Sequence, residues 1–362
     1  MKKSEVTERR IYTYLLDHPG SSAPQIGSAL DLTRVTAFLY LQKLMRTGKV
    51  LSTGAASSTR YFIDTRVNMD FSVTKASILE YIIHRIKDDF GEEIYASDTE
   101  DMFSRYFLFI DSQDRFLVGI DGFIAWCMNS NRNYMENIRE KALEYFNLVG
   151  SIEYLRNKNG FFDGTESVRA NLKEYTHIGM DRCYFHDIFN IPNSFGRTRT
   201  AMELAFGKQN GDMVLLEHAM NNSLDPIHSY IIKNTVDAII YTPPTQGRNI
   251  QFRDVLERKL ALQISKIHAE KIRSPDHILR AQKDIRDRKN RIANAEQSIV
   301  VDIPKNLLTL SHILILDDSF TTGATPNAIA LKIREAGYKG KITVITICGS
   351  FNYDLAITED EI

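Results

Sequence analysis

The chain has 362 residues, 43% hydrophobic and 25% charged, with a net charge of −1, which is ordinary for a soluble globular protein with room for two or three domains. No overall basic field points to nucleic acid, the polar start MKKSEVTERR lacks a leader's apolar run, and nothing approaches the roughly 18 apolar residues of a membrane span. Cys127, Cys183 and Cys348 lie far apart without CxxC spacing, which argues against a disulfide framework or zinc site and fits the reducing cytoplasm.

Residues 1–66 carry a local excess of Lys and Arg. Ser4 is placed to cap a helix with Ile11, Tyr14 and Leu15 on one face, and the breaker cluster Asp17-His18-Pro19-Gly20 stops it. Ser22 and Gln25 form a capping box for a short second helix holding Ile26 and Leu30, with Pro24 in its first turn. Thr33 caps a third helix, expected to bury Val35, Phe38, Leu39, Leu41 and Met45 and to turn Arg34, Thr36, Ala37, Tyr40 and Lys43 outward. Gly48 closes it, and Val50-Leu51 with Arg60 to Ile63 read as a hairpin around a small-residue loop. Three helices and a hairpin in this order resemble a winged helix-turn-helix, whose third helix enters the major groove. The resemblance implies nucleic-acid contacts from Arg34, Thr36, Tyr40, Lys43 and Arg46, and the positive charge suits phosphates. A protein-docking domain with Arg34, Lys43 and Arg46 on a solvated face accounts for the same residues.

Residues 67–179 read as a mixed α+β segment without assigned chemistry. Ser77 to Ile86 is helical in pattern, an acidic stretch runs from Asp88 to Asp101, and Tyr106 to Ile110 with Arg115 to Ile120 flank a hairpin turn. Gly122 to Cys127 is an apolar patch holding the one Trp. Asn133 caps a helix with Ile138, Ala142, Tyr145 and Phe146 on one face, and a second apolar run reaches Leu155. Aromatics at this spacing read as core.

In the third region, 180–362, Tyr184 to Ile188 reads as a strand, and Arg197-Thr198-Arg199 opens a helix before Gly207-Lys208-Gln209-Asn210-Gly211. Val236 to Tyr241 is a buried strand followed by Thr242-Pro243-Pro244-Thr245-Gln246-Gly247-Arg248-Asn249. Its Gly and Arg suit a pyrophosphate, held by backbone donors and a guanidinium; a Pro-rich turn is the alternative. Phe252 to Glu270 reads as one helix. The basic segment around Lys283, Arg286, Arg288 and Arg291 is either a hood over an anion or a solvated helix with Asp–Arg pairs.

The most specific stretch is ILILDDSFTTGAT, Ile313 to Thr325. Ile313 to Leu316 form the short apolar run of a strand buried on both faces of a parallel sheet. Asp317 and Asp318 then fall at the carboxyl edge, where open α/β sheets hold ligands. Gly323 admits close backbone approach, Thr325 can cap a helix, and Pro326 suits its first turn, so the loop aims N–H groups at an anion.

Strand, Asp-Asp and TTGAT together resemble the 5-phosphoribosyl 1-pyrophosphate (PRPP) motif of type I phosphoribosyltransferases. The resemblance implies that Asp317 and Asp318 meet the ribose hydroxyls, that Thr321, Thr322, Gly323, Ala324 and Thr325 cradle the 5′-phosphate, and that Thr245, Gln246, Gly247 and Arg248 hold pyrophosphate. It places Asp317, Asp318 and Arg248 at a catalytic centre, with Mg²⁺ bridging pyrophosphate and sugar, on a parallel sheet with helices on both faces. The order of elements over residues 195–348 is similar to the ComF-type branch, although that branch's Arg-Gly-Phe-Asn run appears as Gly247-Arg248-Asn249. A winged helix joined to a PRPP-type site is also similar to the helix-turn-helix ribosyltransferase effectors encoded beside retron reverse transcriptases in bacterial antiviral defence. The cysteines and the lack of an apolar run give the cytoplasm and no membrane association, while that similarity implies an effector that uses PRPP or a related nucleotide. It would contact DNA or an RNA–DNA hybrid and be held in check by retron nucleic acid and the reverse transcriptase. The same parts resemble the Gram-positive purine repressor, a PRPP-sensing transcription regulator without catalysis.

Overall fold

The computed structural model describes residues 3–46, 50–53, 59–63, 71–111, 115–130, 132–244, 247–272, 288–320 and 322–351. The chain is mixed α/β, with a six-stranded, mostly parallel sheet, and divides into two compact units, 1–146 and 147–362.

The first unit begins with α1 (Lys3–Asp17), α2 (Ala23–Leu30) and α3 (Arg34–Arg46), followed by the antiparallel strands β1 (Val50–Thr53) and β2 (Arg60–Ile63). Gln25 Oε1 accepts from the Ser22 backbone N–H at 2.8 Å and from its hydroxyl at 2.9 Å, fixing the start of α2. Thr33 Oγ1 accepts from the Thr36 N–H at 3.0 Å and starts α3. Ile11, Leu15, Ala23, Ile26, Ala37, Leu41, Leu44, Val50 and Tyr61 form the core of these elements.

The buried face of α3 differs from the sequence expectation. Ala37, Leu41 and Leu44 point inward, whereas Val35, Phe38 and Leu39 are exposed by 67%, 42% and 60%. The helix carries two apolar stripes, and the one with the small Ala37 lets α3 approach α1 and α2 closely.

Next come α4 (Ser72–Phe90), α5 (Ala96–Tyr106), the hairpin β3 (Leu108–Ile110) and β4 (Phe116–Val118), then α6 (Gly119–Ser130) and α7 (Arg132–Glu136). One helix, α8 (Ile138–Tyr154), replaces the two apolar runs expected there, and the division between units falls along it. Phe103, Phe107, Phe123 and Tyr145 are buried and pack ring on ring with Trp126 beside them, which explains the aromatic spacing as core.

The second unit contains β5 (Phe162–Asp163), α9 (Thr165–Leu172), β6 (Arg182–Ile188), the short pair β7 (Asn190–Ile191) and β8 (Gly196–Arg197), α10 (Arg199–Asn210) and α11 (Met213–Lys233). After β9 (Ala238–Tyr241) follow α12 (Phe252–Leu260), β10 (Ser265–Lys266), β11 (Ala269–Lys271), α13 (Arg288–Ser298) and β12 (Ile299–Val301). The chain then forms β13 (His312–Phe320), α14 (Ala324–Glu335) and β14 (Lys341–Gly349). The boundary read near residue 180 falls inside this unit, because β5 pairs with β6.

Strand order in the sheet is β10-β9-β13-β14-β6-β5, parallel throughout except for β5. Ile313 to Leu316 and Ile342, Val344, Ile345 and Ile347 are all buried, the continuous apolar runs of inner parallel strands. From β9 the chain steps outward to β10, then returns to place β13 on the other side of β9. The order therefore reverses between β9 and β13, and in open α/β sheets that switch point opens a crevice at the carboxyl ends.

The helix expected over 252–270 ends at Leu260. Ala261 takes a left-handed conformation, φ 45°, and the rest of the segment forms β10 and β11 with Ile267 and Ala269 buried. β11 pairs with β12, which brings Lys271 to the crevice described next.

Candidate functional site

The ladder between β9 and β13 ends where Tyr241 faces Leu316, and the Thr242 N–H makes a last bond to the Leu316 carbonyl at 3.0 Å. Beyond that point β13 continues to Phe320 along β14, with Asp317 opposite Thr346 and Phe320 opposite Gly349. The strand thus runs past the expected end at Leu316 and carries both aspartates. One flank of β13 has lost its neighbour there, and a cavity of about 850 Å³ opens beside Asp317 and Asp318.

Asp317 is held in orientation by its neighbours. Its Oδ1 accepts from the Thr242 hydroxyl at 2.5 Å and from the Asp318 N–H at 2.8 Å. Enclosure pushes its carboxyl above the usual range, opposed by the Thr242 hydrogen bond and by the charges of Lys208 and Lys271. Asp318 accepts from the Ser319 hydroxyl at 3.0 Å on one oxygen, and the Lys208 ammonium is in contact with the other. Burial pulls Lys208 down to about 8; Asp317 opposes that shift and Arg248 adds to it. Lys271 is also pulled down by burial, with Asp317 opposing.

Arg197, Lys208, Arg248, Arg253, Lys271 and Arg291 line the same cavity, while Asp317 and Asp318 are the carboxylates on its wall among the described residues. The excess of cations in an enclosed space selects for a polyanion. The start of α14 lines the same cavity with Thr322, Gly323, Ala324, Thr325 and Pro326. Gly323, rather than the expected Thr325, is the residue before the helix and takes φ +75°. A Cβ there would come within 2.7 Å of the Val168 side chain, so the position needs glycine on two grounds. The Thr322 hydroxyl oxygen accepts from the Ala324 N–H at 3.4 Å. Asn327 holds the helix in place: its side chain donates to the His177 carbonyl at 2.8 Å and accepts from the Gly179 N–H at 2.9 Å.

The crevice therefore brings together Asp317, Asp318, Arg248, Thr322, Gly323, Ala324 and Thr325. Gly247 is exposed; Thr245, Gln246 and Thr321 lie outside the described residues, as do Lys283 and Arg286. Of the residues assigned to nucleic acid, Arg34 is exposed, Thr36 is half-buried, and Tyr40 packs partly buried on the helical core. Lys43 forms an ion pair with Glu8 at 2.6 Å, and the Arg46 side chain is outside the described residues.

Besides Arg197 and Arg253, three groups at the crevice, Thr242, Lys208 and Lys271, take no site role from the sequence. In sequence Thr242 is only the first residue of the Pro-Pro loop. Lys208 falls in the Gly207–Gly211 stretch expected to follow the helix, and its one signal is a lysine beside Gly207. Lys271 gives no signal, because it lies just past an expected helix.

Two carboxylates, one of them already meeting Lys208, do not make a protein cage for a cation, and no cluster of three or more His, Cys, Asp or Glu occurs among the described residues. The donors fit a hydrated Mg²⁺ shared with ligand oxygens. Cys127, Cys183 and Cys348 are buried free thiols. No helix among the described residues is long and apolar enough to cross a membrane. No protein-family model matches the sequence, and a search of curated proteins finds no match.

Proposed function

We propose that the crevice between β9 and β13 binds PRPP or a related ribose 5-phosphate derivative, and that the second unit is a phosphoribosyltransferase of the type I fold. The observation that carries this reading is the meeting, at one switch point, of paired carboxylates, a left-handed glycine opening a helix, and a cationic wall. Each matches one part of the ligand: vicinal hydroxyls, 5′-phosphate and pyrophosphate.

In this reading Asp317 and Asp318 accept hydrogen bonds from the 2′ and 3′ hydroxyls, and Thr242 keeps Asp317 in register. The N–H groups at the start of α14 hold the 5′-phosphate. Breaking the C1′–O bond leaves an oxocarbenium-like carbon and sends the electron pair to pyrophosphate, whose charge Arg248, Lys271 and Arg291 stabilise from the wall. Mg²⁺, when bound beside Asp317 and Asp318, would supply further neutralisation of the departing charge. The acceptor then attacks C1′.

We read the three helices and hairpin of the first unit as a winged helix that contacts DNA or an RNA–DNA hybrid. Together the parts make an effector of retron antiviral defence, restrained in the cytoplasm by retron nucleic acid and a reverse transcriptase. A PRPP-sensing regulator without catalysis is the second reading, since the same crevice and helical core would serve ligand binding and nucleic-acid contact without a transfer step. Incubation with PRPP, Mg²⁺ and a cell extract as acceptor source separates the two. The enzyme releases pyrophosphate and transfers labelled ribose, and Arg248→Ala loses at least about tenfold of that rate. Intact PRPP together with a PRPP-dependent change in DNA affinity would replace the enzyme with the sensor.

A further inference from the structure

Lys208 reaches the acidic pair from α10, an element outside the β13–α14 stretch, and the chemistry above leaves it unused. Its helix is fixed at both ends: the Thr198 hydroxyl oxygen accepts from the Ala201 N–H at 3.3 Å, and Gly211 closes it with φ +65°. The ammonium lies against Asp318 and 5.6 Å from the centre of the Phe252 ring, so carboxylate and aromatic face together hold it in the cavity. With Ser319 on the other oxygen, both oxygens of Asp318 are already engaged. A sugar hydroxyl that approaches the Asp318 oxygen held by Lys208 therefore competes with the ammonium for it. Moving an enclosed ammonium off its carboxylate is unfavourable unless the ligand provides another anion for it.

We propose that Lys208 is a specificity-determining residue, a displaceable latch on Asp318 that admits ribose phosphates carrying a second anionic group and rejects those without one. The inference rests on the ribose-phosphate reading of the crevice. A ligand with only a 5′-phosphate satisfies the start of α14 and gives the displaced ammonium no new anionic partner. One with a pyrophosphate on C1′ gives Lys208 a new partner beside Arg248, which lines the same wall. Discrimination then comes from what the wrong ligand fails to compensate.

The test is calorimetric titration of the full-length protein with PRPP and, separately, with ribose 5-phosphate, using wild type, Lys208→Gln and Lys208→Arg. Circular dichroism checks that each variant is folded. Wild type is expected to prefer PRPP strongly. Lys208→Gln should narrow that preference by at least about tenfold, with ribose 5-phosphate bound no more weakly than by wild type, and Lys208→Arg should keep most of it. A preference unchanged in Lys208→Gln, or equal weakening of both ligands, overturns the latch while leaving the crevice reading intact. If Lys208→Gln does not fold, loss of the preference in a folded Lys208→Arg likewise overturns it. Wild type that binds neither ligand overturns the crevice reading and the latch with it.

Discussion

Asp317 is held in the fold against the cost of its own enclosure, and that cost has a sign. Its carboxyl is raised relative to the unfolded chain, with burial as the leading cause. The contribution of such a group is fully favourable below its unfolded pKa and is lost as pH rises through the folded value. Asp317→Asn is therefore expected to stabilise the ligand-free protein at neutral pH, and the gain should shrink as pH falls through the raised folded value and vanish below the ordinary carboxylate value. Urea unfolding of both proteins at several pH values checks this, and a gain that grows toward acid would contradict it. Gly323 carries the opposite kind of constraint. Gly323→Ala adds left-handed strain and a contact with Val168, so a loss of about 1–3 kcal/mol in the same unfolding measurement is expected.

At the scale of elements, the placement of α14 depends on the 177–179 loop. Asn327 is 1% exposed and satisfies a carbonyl and an N–H of that loop. Asn327→Ala leaves both without partners, and a destabilisation of about 2–4 kcal/mol is expected, measured by denaturant titration. β13 and the opening of α14 were legible in the sequence because strand, carboxylates and glycine-bearing loop follow one another without a break. Lys208 and Lys271 were not legible, because α10 and β11 reach the same crevice only through the sheet order. The reversal at Ala261 was hidden because alanine gives no breaker signal, so two strands read as helix. On α3 the periodicity was present twice, and only packing against α1 and α2 selects the stripe with Ala37. That correction matters for the nucleic-acid reading: the exposed face mixes Arg34 with Val35, Phe38 and Leu39, and Lys43 is engaged by Glu8. If α3 contacts phosphates, Arg34→Ala should lower the slope of log affinity against log salt by about one, and Lys43→Ala by less. Fluorescence titrations of a labelled duplex over a salt series report both slopes; no salt dependence in wild type would make the helix a protein-docking surface.

Across the whole molecule, the crevice and the three-helix core lie in different compact units, so substitutions in one and in the other test the two proposed binding activities separately. The proposed activity depends first on the crevice taking the complete ligand, since the later steps and the choice between enzyme and sensor follow from that. Calorimetry of the full-length chain with PRPP and Mg²⁺, beside the Asp317→Asn/Asp318→Asn double variant, measures this directly. Wild type should bind, and the folded double variant should bind at least about thirtyfold more weakly through loss of two charge-assisted contacts. Equal affinity in the two proteins, or no binding by wild type, would contradict the assignment of the paired carboxylates to the ribose.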